Sequence, residues 1–223
     1  IDEYLRQEII AEGATRNLPA FGRFLEVAAL SNGEQIDYAA ISRDAKVPRS
    51  TVQEYFRILK ETMLADEVPV WKRGLKRKTV ETAKFYLFDP GVARRLMRRR
   101  PVEEGTREYG HLFETWVHHE LRAYLDSRIR DGAVSYWRTP SGTEVDFIVG
   151  TTAIEAKSGR TVARSDCAGL RALAEEGTFA HRVIVCREPV ARQVDGIEIL
   201  PAADFVERLW SDALIDLDSV AVG

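Results

Sequence analysis

The stretch from Thr143 to Ser158 reads Thr-Glu-Val-Asp-Phe-Ile-Val-Gly-Thr-Thr-Ala-Ile-Glu-Ala-Lys-Ser and decides how the second half of the chain folds. Apolar residues at positions 145, 147 and 149 alternate with the residues at 144, 146 and 148, which is typical of a strand with one face in a core. Gly150-Thr151 fits a tight turn in which glycine supplies a positive φ. The stretch therefore predicts two strands joined by a two-residue turn.

A two-residue turn fixes which side chains of the hairpin face each other. Counting back from the turn places Asp146 opposite Glu155 and Glu144 opposite Lys157. Directly paired residues have Cβ atoms ~4.5–5.5 Å apart, so the two carboxylates of the first pair would project side by side. Adjacent carboxylates repel unless a positive charge lies between them, and Mg²⁺ binds one or two carboxylates together with waters and phosphate oxygens. The hairpin therefore predicts a divalent-cation site.

A helix predicted at residues 110–129 offers a further carboxylate. Its apolar arc has Glu114 near the edge and Glu120 close to the centre. A carboxylate within an apolar face needs a cation, a hydrogen-bond donor or a metal. Glu114 is thus a candidate metal ligand, expected beside Asp146. The alternatives are that Glu114 reaches water and that Glu120 pairs with an arginine such as Arg138.

The elements around the hairpin carry a family resemblance. Predicted elements follow in the order helix, three strands, helix and strand, at 110–129, 134–138, 144–149, 153–157, 164–176 and 181–186. This order, with Asp146 and Glu155-Ala-Lys157, resembles the PD-(D/E)XK superfamily of restriction enzymes and junction resolvases. Within it, the segments that most resemble domain of unknown function 4143 are Phe113-Glu114, Tyr136-Trp137-Arg138, Gly142-Thr-Glu-Val-Asp146-Phe and Ile154-Glu-Ala-Lys157-Ser.

The resemblance implies a restriction-endonuclease-like α/β fold with an α-β-β-β-α-β core, preceded by a winged-helix-like segment. It favours Glu114 as the helical site residue. In many bacterial and archaeal proteins this family follows an AAA-type ATPase domain, so an ATPase is the expected partner. The chain itself has no Gly-x(4)-Gly-Lys-Ser/Thr phosphate loop, which predicts no ATP site, and its start at Ile1 suggests a piece of a longer protein.

The residue types in the hairpin predict a chemistry. Asp146 and Glu155, with the carbonyl of Ala156, would hold Mg²⁺ or Mn²⁺, which polarises a scissile phosphate and lowers the pKa of bound water. Lys157 would position the attacking water and offset the charge that develops on the phosphate. A competing role for Lys157 is a cross-strand ion pair with Glu144, worth ~0.2–1 kcal/mol when exposed.

The first half predicts a mainly helical, winged-helix-like domain at residues 1–105, ahead of the nuclease-like domain at 106–223. Helices are expected at 18–30 and 38–45, and a third is expected to begin at a capping box formed by Ser50 and Gln53, with Met63 facing inward. Strands are expected at 67–71 and 84–89. The basic residues expected to contact nucleic-acid phosphates lie in the wing loop and the third helix: Lys72, Arg73, Lys76, Arg77, Lys78, Arg49 and Arg57.

Composition limits the class of protein. The chain has 223 residues, 45% hydrophobic and 30% charged, with two cysteines and no CxxC motif. No apolar run approaches the ~20 residues of a membrane span, so we expect a cytoplasmic protein without a membrane partner. Residues 1–109 carry 20 Lys and Arg against 17 Asp and Glu, whereas residues 110–223 carry 12 against 18. The acidic second half argues against strong nucleic-acid binding by that half without metal.

The sequence favours Mg²⁺- or Mn²⁺-dependent phosphodiester hydrolysis on DNA by the second domain, with the first domain binding nucleic acid. The alternatives are a catalytically silent nucleic-acid-binding or regulatory module of an AAA-type ATPase, and a purely structural interaction domain.

Overall fold

The computed structural model describes residues 17–72, 78–97, 102–128 and 134–220. The chain divides into two compact units, one formed by residues 1–67 and 84–102 and the other by residues 68–83 and 103–223. The first unit is mainly helical and the second is built on a mixed β-sheet. Within the described ranges, no helix combines the length and the apolar composition that crossing a membrane requires.

In its described residues, the first unit has three helices, two short strands and a fourth helix: α1 Leu18–Leu30, α2 Tyr38–Ala45, α3 Arg49–Glu61, β1 Ala65–Val68, β2 Lys84–Leu87 and α4 Pro90–Leu96. Side chains of Asn17, Asp37 and Asp89 accept backbone N–H groups in the first turns of α1, α2 and α4. These caps satisfy donors that a helix leaves unpaired at its start. The predicted capping box is wrong, because the N-cap of α3 is Pro48, two residues before Ser50.

An aromatic cluster forms the core of the first unit. Phe24 contacts Phe56 edge-on at 5.0 Å between ring centroids, and Phe56 contacts Phe85 of β2 at 4.9 Å. The inward-facing positions predicted for α1 and α3 are buried, which confirms the helical periodicity. Met63 is the exception, at 82% exposed. The helix has already ended at Glu61 and Met63 has a φ of +56°, so it no longer follows the helical stripe.

The second unit has a six-stranded sheet in the order β3-β4-β5-β6-β8-β7. Strands β5, β6 and β8 are parallel, and the other neighbours are antiparallel. The predicted helix at 164–176 is divided into a 3-10 turn, Arg164–Cys167, and a short helix. The elements are α5 Arg107–Ser127, β3 Ser135–Arg138, β4 Glu144–Val149, β5 Thr152–Ala156, α6 Ala168–Leu173, β6 His181–Cys186, β7 Arg192–Val194, β8 Ile197–Pro201 and α7 Ala202–Trp210.

Helices cover both faces of this sheet. Ile199 of β8 belongs to the apolar cluster that contains Leu170 and Leu173 of α6. The preceding residue, Glu198, accepts a hydrogen bond from Arg208 of α7. Because successive side chains of a strand point to opposite faces, α6 and α7 lie on opposite sides of the sheet. α5 packs beside α7 through the ring pairs Trp116–Phe205 and Tyr124–Trp210.

Strand β4 contains a bulge at the predicted site. Ser135 of β3 is opposite Ile148 and Trp137 is opposite Val145, so two residues of β3 span three of β4. Val145 and Ile148 consequently pack in the same cluster beneath α6, although strict alternation would place them on opposite faces. Phe147 lies instead against His118 of α5, at 5.9 Å between centroids. The turn is as expected, with Gly150 at a φ of +55°.

The described residues on either side of the predicted wing, 68–72 and 78–83, belong to the second unit. The backbone N–H of Trp71 donates to Tyr136 at 2.7 Å, and that of Val80 donates to Arg138 at 3.1 Å. These bonds occupy backbone groups of β3, the outermost strand on that side of the sheet, which would otherwise offer an unpaired edge. The predicted strand at 67–71 is accordingly shorter, since β1 ends at Val68.

Candidate metal centre

Three carboxylates converge between α5 and β4. One oxygen from each of Glu114, Glu144 and Asp146 lies within 4.8 Å of the other two. Asp146 is buried, and the two glutamates are half-buried. The predicted proximity of Glu114 to Asp146 is confirmed. Glu144 is the residue that the sequence did not identify as a ligand, although its position two residues before Asp146 on a strand was a signal for it.

Asp146 is held by a backbone hydrogen bond. The pairing of Phe147 with Ile154 and of Val149 with Thr152 confirms the predicted register near the turn. Beyond Phe147, Asp146 Oδ2 accepts the backbone N–H of Ala156 at 2.9 Å. A regular ladder would present a carbonyl of β4 to that N–H group, but the extra residue in β4 displaces it. The bulge thereby fixes the carboxylate of Asp146 at the point where the ladder is interrupted.

Glu155 and Lys157 form an ion pair beside Asp146. Lys157 Nζ lies 2.6 Å from Glu155 Oε1, and the Glu155 side chain is only 9% exposed. Burial works against the charge on Lys157, but the carboxylates of Glu155 and Asp146 outweigh it and raise the pKa of the ammonium group. Glu155 is paired with Ile184 of β6, so its side chain leaves the sheet on the α6 face.

Two predicted ion pairs are wrong. The partner of Glu144 is Arg138, the neighbour opposite it on β3, and not Lys157. Glu120 does not pair with Arg138, since it accepts a hydrogen bond from the indole N–H of Trp210 at 3.1 Å. Arg138 lies opposite Glu144 in the register of β3 with β4, and the docking of α7 on α5 brings Trp210 to Glu120.

The donor set suits a hard divalent cation. All three converging groups are carboxylates, which is the ligand type that Mg²⁺ and Mn²⁺ prefer. Three carboxylates at this separation also repel one another, and Arg138 offsets only part of that charge. His118 of the same helix is not among the converging groups; it is 1% exposed, and burial lowers its pKa to about 3.

The predicted nucleic-acid-binding residues are only partly described. Arg49, Lys72 and Lys78 are exposed, whereas Arg73, Lys76 and Arg77 lie outside the described residues. Arg57 is also exposed, but Glu54 and Glu61 of the same helix bind its guanidinium group. This reduces the positive charge that α3 presents.

Comparison with known families gives two matches. A domain of unknown function, DUF4143, is found at residues 109–205. This confirms the resemblance to domain of unknown function 4143 for that part of the chain, and the DUF4143 range includes Glu114, Glu144, Asp146, Glu155 and Lys157. Residues 1–103 match a second domain of unknown function, DUF8612. A search of curated proteins and a search of solved structures each gave no match.

Proposed function

We propose that the second unit, which contains the DUF4143 match, has a PD-(D/E)XK-type fold. We propose that it hydrolyses phosphodiester bonds of DNA with Mg²⁺ or Mn²⁺. The observation that carries this proposal is the convergence of Glu114, Glu144 and Asp146 within 4.8 Å. Its setting adds support, because the hydrogen bond from Ala156 to Asp146 joins this cluster to β5, which carries Glu155 and is followed directly by Lys157.

Each residue has a role that follows from its position. Asp146, Glu114 and Glu144 would hold the cation. Glu155 of β5, which binds Lys157, would hold that ammonium group in place. A bound divalent cation polarises the phosphate and lowers the pKa of a coordinated water. Lys157 carries a positive charge beside these groups and would donate to the phosphate oxygen on which charge develops.

A catalytically silent module is the second candidate. The observation that favours it is that two carboxylates of the site already have cationic partners, Glu144 with Arg138 and Glu155 with Lys157. In this reading, the domain binds nucleic acid or a partner and acts with an AAA-type ATPase.

The helical unit and the segment predicted as a wing would bind nucleic acid, as in a winged-helix protein. Neutralising Lys72, Arg73, Lys76, Arg77 and Lys78 together should weaken DNA binding for all sequences alike and flatten its salt dependence, because phosphate contacts release counterions. DNA binding that is unchanged in this variant would assign the segment a different role.

The test of the proposed hydrolysis combines a cleavage assay with metal titration. Single-stranded, linear duplex and supercoiled DNA are incubated with the full chain in Mg²⁺ or Mn²⁺, and Mn²⁺ binding is followed by calorimetry. We expect E114Q to lose both cleavage and Mn²⁺ binding. The matched control is E120Q on the same helix, whose carboxylate binds Trp210, and it should retain both. Absence of cleavage with every DNA form would favour the silent module.

A further inference from the structure

Glu104 binds two arginines that follow adjacent parallel strands. Its Oε1 lies 2.7 Å from Arg187 Nη2, and its Oε2 lies 3.4 Å from Arg160 Nη2. Arg187 comes directly after β6, and Arg160 comes four residues after β5. Because β5 and β6 are parallel, both arginines lie beyond the C-terminal ends of these two strands, on the same side of the sheet. One carboxylate therefore binds a pair of guanidinium groups at that end of the strands.

The three side chains differ in how firmly they are held. The backbone N–H of Arg187 donates to Gly159 at 3.0 Å, and its guanidinium group lies over the ring of Tyr109 at 5.2 Å. The side chain of Arg187 is 21% exposed, whereas those of Glu104 and Arg160 are 54% and 72% exposed. Glu104 can thus move into solvent while Arg187 stays in place. Because an exposed ion pair contributes little to stability, breaking the pair between Glu104 and Arg187 costs little free energy.

Helix α5 connects the loop that carries Arg160 with the candidate metal centre. A Cβ added at Gly110 of α5 would lie 3.8 Å from Ser158 Oγ, so this part of α5 faces the loop that follows β5. Glu114 lies one turn further along the same face of α5. The loop after β5 begins with Lys157, whose backbone N–H donates to Val185 of β6 at 2.9 Å.

We infer that Arg187 and Arg160 form a binding site for a backbone phosphate of a nucleic-acid strand, and that Glu104 occupies this site in the free protein. The identity of the ligand rests on the proposed function. Guanidinium groups bind carboxylates and phosphates with the same paired N–H geometry, so one can replace the other. A strand carries a phosphate at every nucleotide. A strand with one phosphate at the arginines therefore carries further phosphodiesters on either side of that phosphate.

Glu104 also limits the affinity of the site. A phosphate must displace a carboxylate of the same sign of charge, and the second half of the chain is already acidic. Removing the negative charge of Glu104 should therefore tighten binding, whereas removing Arg187 should weaken it. If the ion pair has only a structural role, both changes should leave nucleic-acid binding unaltered.

The experiment measures binding without metal, so that it is independent of cleavage. A short fluorescein-labelled DNA is titrated with the full chain in EDTA at several salt concentrations, with and without inorganic phosphate as competitor. The variants are E104Q, R187Q and R160Q. The matched control is D195N, which removes an exposed carboxylate that also binds two arginines, Arg164 and Arg171.

We expect E104Q to bind DNA more tightly by up to about fivefold, the ratio that corresponds to an exposed ion pair. R187Q should bind more weakly and lose about 0.7–0.9 from the slope of log Kd against log salt, which is the effect of one phosphate contact. R160Q should act in the same direction, and D195N should bind as wild type. Inorganic phosphate should compete with DNA in E104Q, and less so in R187Q.

Equal tightening by E104Q and D195N would overturn the inference, because it would show a general charge effect. DNA binding that is unchanged in E104Q and R187Q, or undetectable in all proteins, would also overturn it. If E104Q tightens binding but no protein cleaves DNA, the phosphate site stands and the proposed hydrolysis fails. If wild type cleaves DNA and the variants bind as wild type, hydrolysis stands and the phosphate site fails.

Discussion

The carboxylate of Asp146 accepts the backbone N–H of Ala156 at 2.9 Å, at the point where a bulge interrupts the pairing of β4 with its neighbours. A side chain thus replaces a backbone carbonyl in the ladder. The same carboxylate lies within 4.8 Å of those of Glu114 and Glu144. Asp146 therefore has two separable roles, one in the sheet and one in the acidic cluster.

Replacing Asp146 tests this separation. D146N keeps an oxygen that accepts the N–H of Ala156 and removes one of three crowded negative charges, so it should fold as wild type or more stably without metal. It should nevertheless lose the Mn²⁺-dependent rise in melting temperature and any cleavage. D146A also loses the hydrogen bond and should be less stable by ~1–3 kcal/mol. If D146N retains the full Mn²⁺ shift, Asp146 is not a ligand.

Removing Lys157 should affect turnover more than metal binding, because its proposed contact is with the phosphate. K157A should still bind Mn²⁺ in calorimetry while losing cleavage. It also leaves Glu155, whose side chain is 9% exposed, without its lysine, and we expect a loss of ~1–3 kcal/mol in urea unfolding. The double variant K157A/E155Q should regain much of this stability. A double variant as unstable as K157A would contradict the ion-pair explanation.

Arg138 should weaken cation binding in the wild-type protein, because its guanidinium group pairs with Glu144 inside the acidic cluster. R138Q is expected to raise the Mn²⁺ affinity by up to about fivefold, since a partly exposed pair is worth ~0–1 kcal/mol. Calorimetric titration measures this change. R122Q, which removes an arginine paired with Asp126 on α5, provides the control and should leave the affinity unchanged.

His118 should make the fold sensitive to mild acid. Burial lowers its pKa to about 3 from 6.5, so between these pH values the unfolded chain binds a proton that the folded chain does not. Stability should therefore fall as the pH falls below ~6.5, by up to ~1.4 kcal/mol per pH unit from this residue. H118L should reduce the pH dependence of the free energy of unfolding, measured in urea between pH 6.5 and 5, where few carboxylates titrate. H119L is the control at the neighbouring position. An unchanged slope in H118L would refute this assignment.

Gly169 sets the distance between α6 and the strand that carries the acidic residues. A Cβ added there would lie 2.0 Å from the carbonyl oxygen of Glu144. G169A must push α6 away from β4 and should cost ~1–3 kcal/mol in the free energy of unfolding. It should also weaken Mn²⁺ binding by displacing Glu144. G177A is the control, because an added Cβ there meets Trp71 at an ordinary 3.6 Å.

The sequence by itself determined the local elements. Alternation and the Gly150 turn predicted the β4–β5 hairpin, and the structure confirms strand β4 at 144–149 and the pairing of Phe147 with Ile154. The helices predicted at 18–30 and 38–45 are α1 and α2, with the same bounds. These features depend on residues close together in the chain, where turn geometry and side-chain spacing are sufficient.

Tertiary structure decided which carboxylates meet. The bulge in β4 depends on pairing with β3, and it brings Glu144 to Glu114 while Arg138 takes the place predicted for Lys157. Trp71 and Val80, which lie on either side of the predicted wing, donate backbone hydrogen bonds to β3, a partner that the sequence around them does not reveal. Strict alternation assumes a regular ladder. One extra residue in a strand reverses the face of every side chain beyond it, and only the neighbouring strands determine where that residue is accommodated.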